Sequence, residues 1–385
     1  MTHFWTNNIS TLYQADARHL PLADASVHCV VTSPPYYALR SYGDNAAIIG
    51  NEQSPEDYVN QLVMVFAEIY RVLRPDGIAW LNLGDSYSGT GQQLGIPWRV
   101  AFALQDNGWT LRSDVIWAKK SCMPESMAGT RWDKCRIKTK SQQKGKQLSV
   151  IDGGPRTRDM SNGQYLGNAE YIDCPGCDKC NYNDGYVLRQ GSWRSTSSHE
   201  HIFQLTKGMN YYSDGEAVKT DAKISSIERM ESGWNGNINR DYIAGKQNNL
   251  NVYFGSKSAV NNTQANRRDV WRDISPEPYA GEHFATFPPD LPRLCIQAST
   301  SEAGVCGSCG NQWARVVDLD RWKPTCDCNA DKIPATVLDP FAGTGTTLLA
   351  AQRLGRSSVG VDLSKDYLNQ AVKRLSKETL PMRLI

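Results

Sequence analysis

Hydrophobic residues recur along the first 120 residues in two alternating patterns, short apolar runs and longer stretches with helical spacing. Ser54 and Pro55 mark a helix start, because serine caps helix N-termini and proline suits the first helical turn. This helix is expected to stop at the Arg-Pro-Asp-Gly turn, 74–77. A second helix is predicted at 98–108, and strands are predicted at 11–16, 26–32, 78–84 and 111–119. Strands that alternate with helices indicate a parallel sheet.

The pattern breaks between residues 121 and 280, apart from one strand at 199–207 that is expected to return to the sheet. Residues 208–280 are polar, and loops and short elements are expected there. The stretch 131–146 has seven basic residues and one acid, which suits contact with phosphates, although a solvated loop is the alternative. The basic residues predicted to bind nucleic acid are Arg131, Lys134, Arg136, Lys138, Lys140, Lys144 and Lys146.

The C-terminal part predicts strand, glycine turn, helix, strand and helix in that order. Gly343 and Gly345 let the backbone approach a ligand, and Asp362 ends the next strand, where an acid can accept hydrogen bonds from ribose hydroxyls. Leu348 stands where the dinucleotide fingerprint has its third glycine, which favours a nucleoside without a pyrophosphate. A plain tight turn is the alternative. Two strands cannot form a stable open sheet, so the N-terminal half must complete it and the fold is expected to be circularly permuted.

A rigid polar corner follows the strand that ends at Thr32. Pro34 and Pro35 end that strand, because proline lacks the backbone donor and has a fixed φ. Ser33 and Tyr36 are thereby presented at the carboxyl end of the strand, as a hydrogen-bond acceptor beside an aromatic face. This corner is the predicted catalytic site.

The composition is that of a globular protein without a global charge field. The 385 residues are 40% hydrophobic and 21% charged and have a formal net charge of +2, so nucleic acid would have to bind a local surface. No apolar run approaches the length of a membrane span, and no basic-then-apolar leader follows Met1. We therefore expect a cytoplasmic protein without membrane contact.

Seven of the eleven cysteines are grouped, which in a cytoplasmic protein indicates metal binding rather than disulfides. The group that fits a structural zinc ribbon consists of Cys306, Cys309, Cys326 and Cys328. The other group consists of Cys174, Cys177 and Cys180, with Cys135 taken as the fourth ligand and Cys122, His199 and His201 as alternatives. Unligated cysteines, or an iron–sulfur cluster in the second group, remain open. His199 and His201 share one face of a strand and Glu200 faces the other way, which favours a satisfied histidine pair over a metal site.

Two motifs together carry a resemblance to a known family. The sequence "TSPPY" at 32–36, followed by "DPFAGTGTT" at 339–347, resembles the S-adenosylmethionine-dependent DNA amino-methyltransferases, and the order of the motifs matches their β group. The resemblance implies an α/β, Rossmann-like class I methyltransferase fold with a mostly parallel twisted sheet, circularly permuted, with an inserted target-recognition region and a zinc ribbon.

The same resemblance divides the chain into three parts. Residues 1–120 are the catalytic half of the methyltransferase domain, and 121–280 are the target-recognition insert, with strand 199–207 returning to the sheet. Residues 281–385 are the cofactor-binding half, interrupted by the zinc-ribbon-like insert 304–332.

The resemblance also implies roles for individual residues. The catalytic residues are Ser33, Pro34, Pro35 and Tyr36. Asp16 is implied to lie near the cofactor adenine, and the segment 281–291 against its methionine end. The full set implied to bind S-adenosylmethionine is Asp16, Thr32, Phe284, Thr286, Asp339, Pro340, Phe341, Gly343, Gly345, Thr346, Thr347 and Asp362. In this family a serine before the proline pair goes mostly with N4-methylcytosine, whereas aspartate or asparagine goes mostly with N6-methyladenine.

The polar corner fits the chemistry of amino-group methylation. An exocyclic amino group is a poor nucleophile, because its lone pair is conjugated with the ring. Ser33 Oγ and the Pro34 carbonyl oxygen can accept its two N–H bonds, and Tyr36 can stack on a base swung out of the duplex. The predicted function is therefore site-specific methylation of cytosine N4 in duplex DNA. The alternatives are adenine N6, an RNA or protein-amide nitrogen, and a non-enzymatic zinc-ribbon module that binds DNA.

The implied partners are double-stranded DNA and a cognate restriction endonuclease, which the sequence does not identify. Zinc is the expected structural metal. The protein is expected to be a monomer or a homodimer in a bacterial, archaeal or phage-infected cell.

Overall fold

The computed structural model describes residues 3–39, 48–120, 129–140, 170–222, 264–274, 287–319 and 321–378. They fall into two compact units, Met1–Lys120 with Ser198–Ile385, and Ser121–Ser197. The strands are β1 (Trp5–Thr6), β2 (Ser10–Gln14), β3 (Val27–Thr32), β4 (Leu73–Leu83), β5 (Thr110–Ala118), β6 (Arg131–Lys134), β7 (Arg136–Lys140), β8 (Glu170–Asp173), β9 (Tyr186–Arg189), β10 (His199–Thr206), β11 (Thr220–Asp221), β12 (Gln264–Ala265), β13 (Val270–Trp271), β14 (Val305–Cys306), β15 (Ala314–Val316), β16 (Arg321–Lys323), β17 (Lys332–Ile333), β18 (Thr336–Asp339) and β19 (Ser357–Asp362). The helices are α1 (Pro55–Val72), α2 (Ile96–Asp106), α3 (Asp290–Ser299), α4 (Thr346–Arg353) and α5 (Lys365–Lys377).

A nine-stranded sheet runs through the larger unit in the order β1-β2-β19-β18-β3-β4-β10-β5-β13. Its centre, from β2 to β4, is parallel, whereas β10 is antiparallel to both β4 and β5. The predicted mostly parallel sheet is confirmed, and the strand predicted at 199–207 lies in it as β10. The C-terminal strands β18 and β19 lie between β2 and β3, so both ends of the chain build one sheet. Circular permutation stays a prediction.

The direction in which successive strands are added to the sheet reverses at the seam between β3 and β18. From β3 the chain continues through α1 to β4, and from β18 it continues through α4 to β19 on the other side of the seam. Because parallel crossovers are right-handed, the two helices cover opposite faces of the sheet. The strand β3 contributes to both cores: Val30 packs in the cluster that contains α1, and Cys29 and Val31 pack in the cluster that contains α3. A ligand crevice is expected at the carboxyl ends of such strands.

The helix α1 begins as predicted, but the strand after it begins earlier. Ser54 is the N-cap, and its Oγ accepts the Asp57 N–H at 3.1 Å. The turn predicted at 74–77 lies inside β4, which starts at Leu73. Leu73 pairs with Val27, and the register shifts before Cys29 pairs with Ile78, so the irregularity of the Pro-Gly stretch is absorbed within the strand pair.

The polar segment 208–280 supplies short elements, as expected, and one of them joins the large sheet. β13 pairs in parallel with β5 and forms the edge of the sheet. Trp271 of β13 is 6% exposed, and its ring centroid lies 6.3 Å from that of Trp80. Burial of Trp271 and Ile274 in the core cluster, together with the pairing to β5, holds β13 at the edge without any local periodicity.

The smaller unit contains two antiparallel strand pairs, β6 with β9 and β7 with β8. Among the helices of the described ranges, none combines the length and the apolar character needed to cross a lipid bilayer.

Candidate active site

A cavity of about 480 Å³ opens at the carboxyl edge of the parallel strands, at the seam of β3 and β18. Side chains from two regions meet there: the glycine turn after β18, and the polar corner after β3. The predicted catalytic and cofactor residues that line the cavity are Asp16, Ser33, Pro34, Pro35, Tyr36, Asp339, Pro340, Phe341, Gly343, Thr346 and Asp362.

The glycine turn is tied to the end of β19 by Asp362. Gly343 and Gly345 have φ values of +50° and +79°, which L side chains rarely adopt. The Gly343 N–H donates to Asp362 Oδ2 at 2.8 Å, and the Ser364 N–H donates to Oδ1 at 2.8 Å. Burial raises the pKa of Asp362 above its ordinary value, and the two backbone donors oppose the shift. Each carboxylate oxygen keeps a further lone pair that a ligand hydroxyl can use.

Asp339 supports the beginning of the same turn. Its carboxylate accepts from Thr32 Oγ1 at 2.8 Å, from Thr347 Oγ1 at 2.7 Å and from the Phe341 N–H at 3.1 Å. Burial raises the pKa of Asp339 to about 6. Thr32 and Thr347 are fully buried and do not line the cavity, so their predicted part in cofactor binding stays a prediction. In the structure both hydroxyls hold Asp339. Gly345 does not line the cavity either and is the N-cap of α4.

Asp16 follows β2 and presents an oriented carboxylate to the cavity. Arg18 donates from Nε to Oδ1 at 3.0 Å and from Nη2 to Oδ2 at 2.6 Å. Burial opposes ionisation of Asp16, but the hydrogen bonds and charge of Arg18 hold its pKa below the ordinary value. The predicted role of Asp16 toward adenine stays a prediction. Phe284 and Thr286 lie outside the described residues, and the neighbouring Phe287 lines the cavity.

The Ser33–Tyr36 corner is held in place by hydrogen bonds from two neighbouring side chains. The Tyr58 hydroxyl of α1 donates to the Pro35 carbonyl oxygen at 2.8 Å. Directly after the corner, the Tyr37 carbonyl oxygen accepts from Ser86 Oγ at 2.7 Å. Because proline also fixes φ at two positions, the acceptors at the corner have little freedom to move.

A buried carboxylate from β10 reaches this corner. Glu200 is 8% exposed, and its Oε2 accepts from the Tyr36 hydroxyl at 2.7 Å and from Asn82 Nδ2 at 2.7 Å. Lys119 Nζ forms an ion pair with Oε1. The Tyr36 hydroxyl oxygen accepts from Asn82 Nδ2 at 2.9 Å and from Ser33 Oγ at 3.3 Å. Burial and the charge of Glu200 raise the pKa of Tyr36 well above its ordinary value, so the phenol stays protonated.

Asn82, Lys119 and Glu200 line the cavity but were not predicted from the sequence. The signal for Asn82 was an amide within an apolar strand run, since a buried amide needs polar partners. Glu200 does face away from His199 and His201, as the alternation of a strand predicts. The two histidine rings lie on the other face with centroids 5.3 Å apart, and His201 Nδ1 lies 3.0 Å from an aspartate of β5, as expected for a satisfied pair.

Room for the Tyr36 ring depends on a glycine at the end of β4. A Cβ atom built on Gly84 would lie 2.8 Å from Tyr36 Cε2, closer than real Cβ contacts. Any side chain at position 84 would therefore displace the Tyr36 ring from its present position.

Both predicted cysteine groups are gathered in space. In each group the four Sγ atoms lie within 4.8 Å of one another; the groups are Cys135, Cys174, Cys177 and Cys180, and Cys306, Cys309, Cys326 and Cys328. The Sγ atoms of Cys135 and Cys177 are 3.8 Å apart, and those of Cys177 and Cys180 are 3.6 Å apart. A tetrahedral zinc ion with Zn–S bonds of about 2.3 Å requires about 3.8 Å between sulfurs. The residues therefore fit zinc, and Cys135 stands at the fourth position.

Backbone donors favour the thiolate form of one cysteine in each group, whereas burial raises the pKa of Cys135, and a hydrogen bond with Cys309 raises that of Cys328, to about 12. The N–H groups of Cys309 and Ser308 lower the pKa of Cys306 to about 6. The N–H of Lys179 lowers the pKa of Cys177 to about 7. The thiolate is the metal-binding form of cysteine, and four thiolates leave no open coordination position, which suits a structural ion.

Three predicted nucleic-acid-binding residues have described side chains, and each is paired with an acid. Arg131 lies 2.9 Å from Asp133, while Lys134 and Arg136 lie 2.9 and 3.6 Å from Asp173. In each of these exposed ion pairs a phosphate can replace the carboxylate with little loss of free energy, because surface ion pairs contribute little to stability. The other four are Lys138 and Lys140, in β7, and Lys144 and Lys146, outside the described residues.

Comparison with known proteins gives a consistent result. The model of the N6/N4 family described as DNA methylase matches residues 27–373. The type II methyltransferase M.Cfr9I of Citrobacter freundii is 30% identical over 403 aligned positions, which cover 96% of this chain and 89% of the relative. The type II methyltransferase M.SmaI of Serratia marcescens is 29% identical over 375 positions, which cover 90% and 83%.

A solved structure shares the fold. The PvuII DNA methyltransferase (cytosine-N4-specific) superimposes with a TM-score of 0.52 at 16% sequence identity, covering 99% of this chain and 89% of that chain.

Proposed function

The chain belongs to the N6/N4 DNA methylase family, and on this basis we propose that it transfers a methyl group from S-adenosylmethionine to the N4 amino group of cytosine in duplex DNA. The observation that carries the proposal is one cavity that joins the glycine turn and Asp362 to the Ser33–Tyr36 corner. Relatives named type II methyltransferases, and a structural neighbour described as cytosine-N4-specific, support the same activity.

The glycine-turn side of the cavity suits the adenosine part of the cofactor. Asp362 has lone pairs for the ribose hydroxyls, and Asp16 supplies a second oriented carboxylate. Gly343 leaves the turn without a side chain where a ligand must approach closely. When bound, S-adenosylmethionine supplies an electrophilic methyl group on a sulfonium.

The corner suits the target amino group. Ser33 Oγ and the Pro34 carbonyl oxygen accept the two N–H bonds, which aims the nitrogen lone pair out of conjugation with the ring. Tyr36 offers its ring to a base turned out of the duplex. Serine at position 33 favours cytosine over adenine by the family resemblance; the family also includes N6-adenine enzymes, and adenine is the alternative substrate.

Target recognition is assigned in this proposal to the region 121–280, with its basic residues contacting phosphates and its polar side chains contacting base edges. A cognate restriction endonuclease is proposed as the partner, because the relatives are named type II methyltransferases.

The activity can be tested by product identification. Incubation with duplex DNA and S-adenosylmethionine, followed by digestion to nucleosides and mass spectrometry, is expected to yield N4-methylcytosine. N6-methyladenine would retain the fold and the chemistry but contradict the assignment of the base. If varied DNA yields no methylated nucleoside while RNA or protein does, DNA is not the substrate.

Replacement of Asp362 by alanine is expected to weaken cofactor binding without DNA by about 1.5–3 kcal/mol, the contribution of hydrogen bonds to a charged group. This corresponds to about 10- to 150-fold in Kd by isothermal titration calorimetry. Asp362→Asn keeps one acceptor for the turn. Its affinity for the cofactor is therefore expected to lie between those of the wild type and Asp362→Ala. The matched control is Asp366→Ala, since Asp366 is exposed on the next helix and does not line the cavity. Equal affinities for wild type and both variants would exclude a ribose contact by Asp362.

A further inference from the structure

The Ser33 hydroxyl suits an amino group in only one of its two orientations. A hydroxyl can donate or accept, and the target N–H is a donor. Ser33 Oγ must therefore present a lone pair to the base and direct its own hydrogen elsewhere. In the structure that hydrogen goes to the Tyr36 hydroxyl oxygen, 3.3 Å away.

The direction of this hydrogen bond follows from neighbouring groups that can only donate or only accept a hydrogen bond. The Tyr36 oxygen accepts from Asn82 Nδ2 as well as from Ser33, so its own hydrogen goes to Glu200 Oε2 at 2.7 Å. An ionised carboxylate only accepts, and the ammonium of Lys119, paired with the other oxygen of Glu200, only donates. The chain therefore runs from Ser33 to Tyr36 to Glu200 and cannot run in reverse while Glu200 is ionised.

We propose that Glu200, anchored by Lys119, is a positioning residue that acts through Tyr36 to keep Ser33 Oγ an acceptor for the target amino group, and that it takes up the proton released on methylation. The proposal rests on the proposed function. The amino nitrogen uses its lone pair for the new bond to the methyl carbon, the electron pair of the broken carbon–sulfur bond stays on sulfur, and one N–H proton leaves. That proton passes to Ser33 Oγ as the serine hydrogen passes to Tyr36 and the tyrosine hydrogen passes to Glu200, which becomes a neutral acid.

The role of Glu200 can be tested first in the cofactor-free protein. With ¹³Cζ-labelled tyrosine, the Tyr36 signal is assigned by its loss in Tyr36→Phe, and its chemical shift is measured by NMR at neutral pH. Glu200→Gln is expected to change this shift, because the Tyr36 hydroxyl then loses its charged hydrogen-bond acceptor. An unchanged Tyr36 shift in Glu200→Gln would show that Glu200 does not act on Tyr36.

The second test is a double-mutant cycle on single-turnover methylation of duplex DNA. Glu200→Gln and Tyr36→Phe are each expected to lower the rate by about 10- to 100-fold, the range for one hydrogen bond to a charged group. The double variant is expected to be no slower than the slower single variant, because both break one chain. Losses that multiply would mean that Glu200 acts independently of Tyr36, which overturns the proposal.

Matched controls separate these effects from loss of structure. Glu56→Gln breaks an exposed ion pair with Arg99, and Tyr70→Phe removes a hydroxyl outside the cavity lining; both are expected to retain the wild-type rate. Glu200→Asp keeps the carboxylate but shortens it, so it should recover part of the rate if Glu200→Gln is poorly folded. If the wild type methylates no DNA, the proposed function fails, and the Tyr36 chemical shift still decides whether Glu200 acts on Tyr36.

Discussion

Replacement of Ser33 by alanine is expected to lower the single-turnover rate of DNA methylation by about 100- to 1000-fold, within the range for loss of one acid–base group. Alanine removes the acceptor for one N–H of the target and also the donor to the Tyr36 hydroxyl. The amino nitrogen then keeps its conjugation with the ring more easily, and one route for its proton is lost. The rate is measured with radiolabelled methyl donor and enzyme in excess over DNA.

Cofactor binding should separate this effect from damage to the fold. Ser33 is on the corner, whereas the carboxylate of Asp362 and the glycine turn are on the other side of the seam, so the cofactor Kd should stay within about twofold of wild type by the additivity of separate sites. Ser26→Ala removes an exposed hydroxyl just before the same strand and is expected to leave the rate unchanged. A Ser33→Ala enzyme with the wild-type rate would remove Ser33 from the mechanism.

Metal analysis of the purified protein is expected to find about two zinc ions per chain, one for each four-thiolate group. Cys306→Ser should reduce this to about one and lower the thermal unfolding temperature by about 10 °C or more, because binding of a structural zinc contributes directly to folding. Incubation of the wild type with a strong chelator should likewise remove zinc and lower the unfolding temperature.

A large drop in unfolding temperature is expected because the ribbon around Cys306 contacts two strands of the large sheet. The Cys309 carbonyl oxygen accepts from Arg74 Nη1 at 3.0 Å, and the Gly310 carbonyl oxygen is 3.0 Å from His28 Nε2. Arg74 is in β4 and His28 is in β3, the strand that leads to Ser33. Cys295→Ala is the control, because this buried thiol belongs to neither group, and it should retain both zinc ions. Full zinc content in Cys306→Ser would show that the ribbon holds no metal.

Much of the fold follows from local patterns. Ser54 and Pro55 start α1 because capping and the fixed φ of proline act within one turn of the chain. The glycine turn was recognisable because Gly343 and Gly345 adopt φ values that other residues avoid. Local patterns were misleading for 74–77, where a turn-like sequence lies within β4, because pairing with β3 outweighs the local preference.

The sequence by itself determined the alternation of strands and helices, the glycine turn with Asp362, the Ser33–Tyr36 corner and the two cysteine groups. Each of these depends on residues close together in the chain, or on a residue type with one dominant chemistry. The tertiary structure alone decided that Thr32 and Thr347 are buried supports of Asp339, and that Glu200 completes the corner. Glu200 is 164 residues from Tyr36 in the sequence, and the two meet only because β10 pairs with β4 beside β3. Spatial pairing of distant strands leaves no periodic signal, so only the folded sheet shows which polar side chains share the cavity.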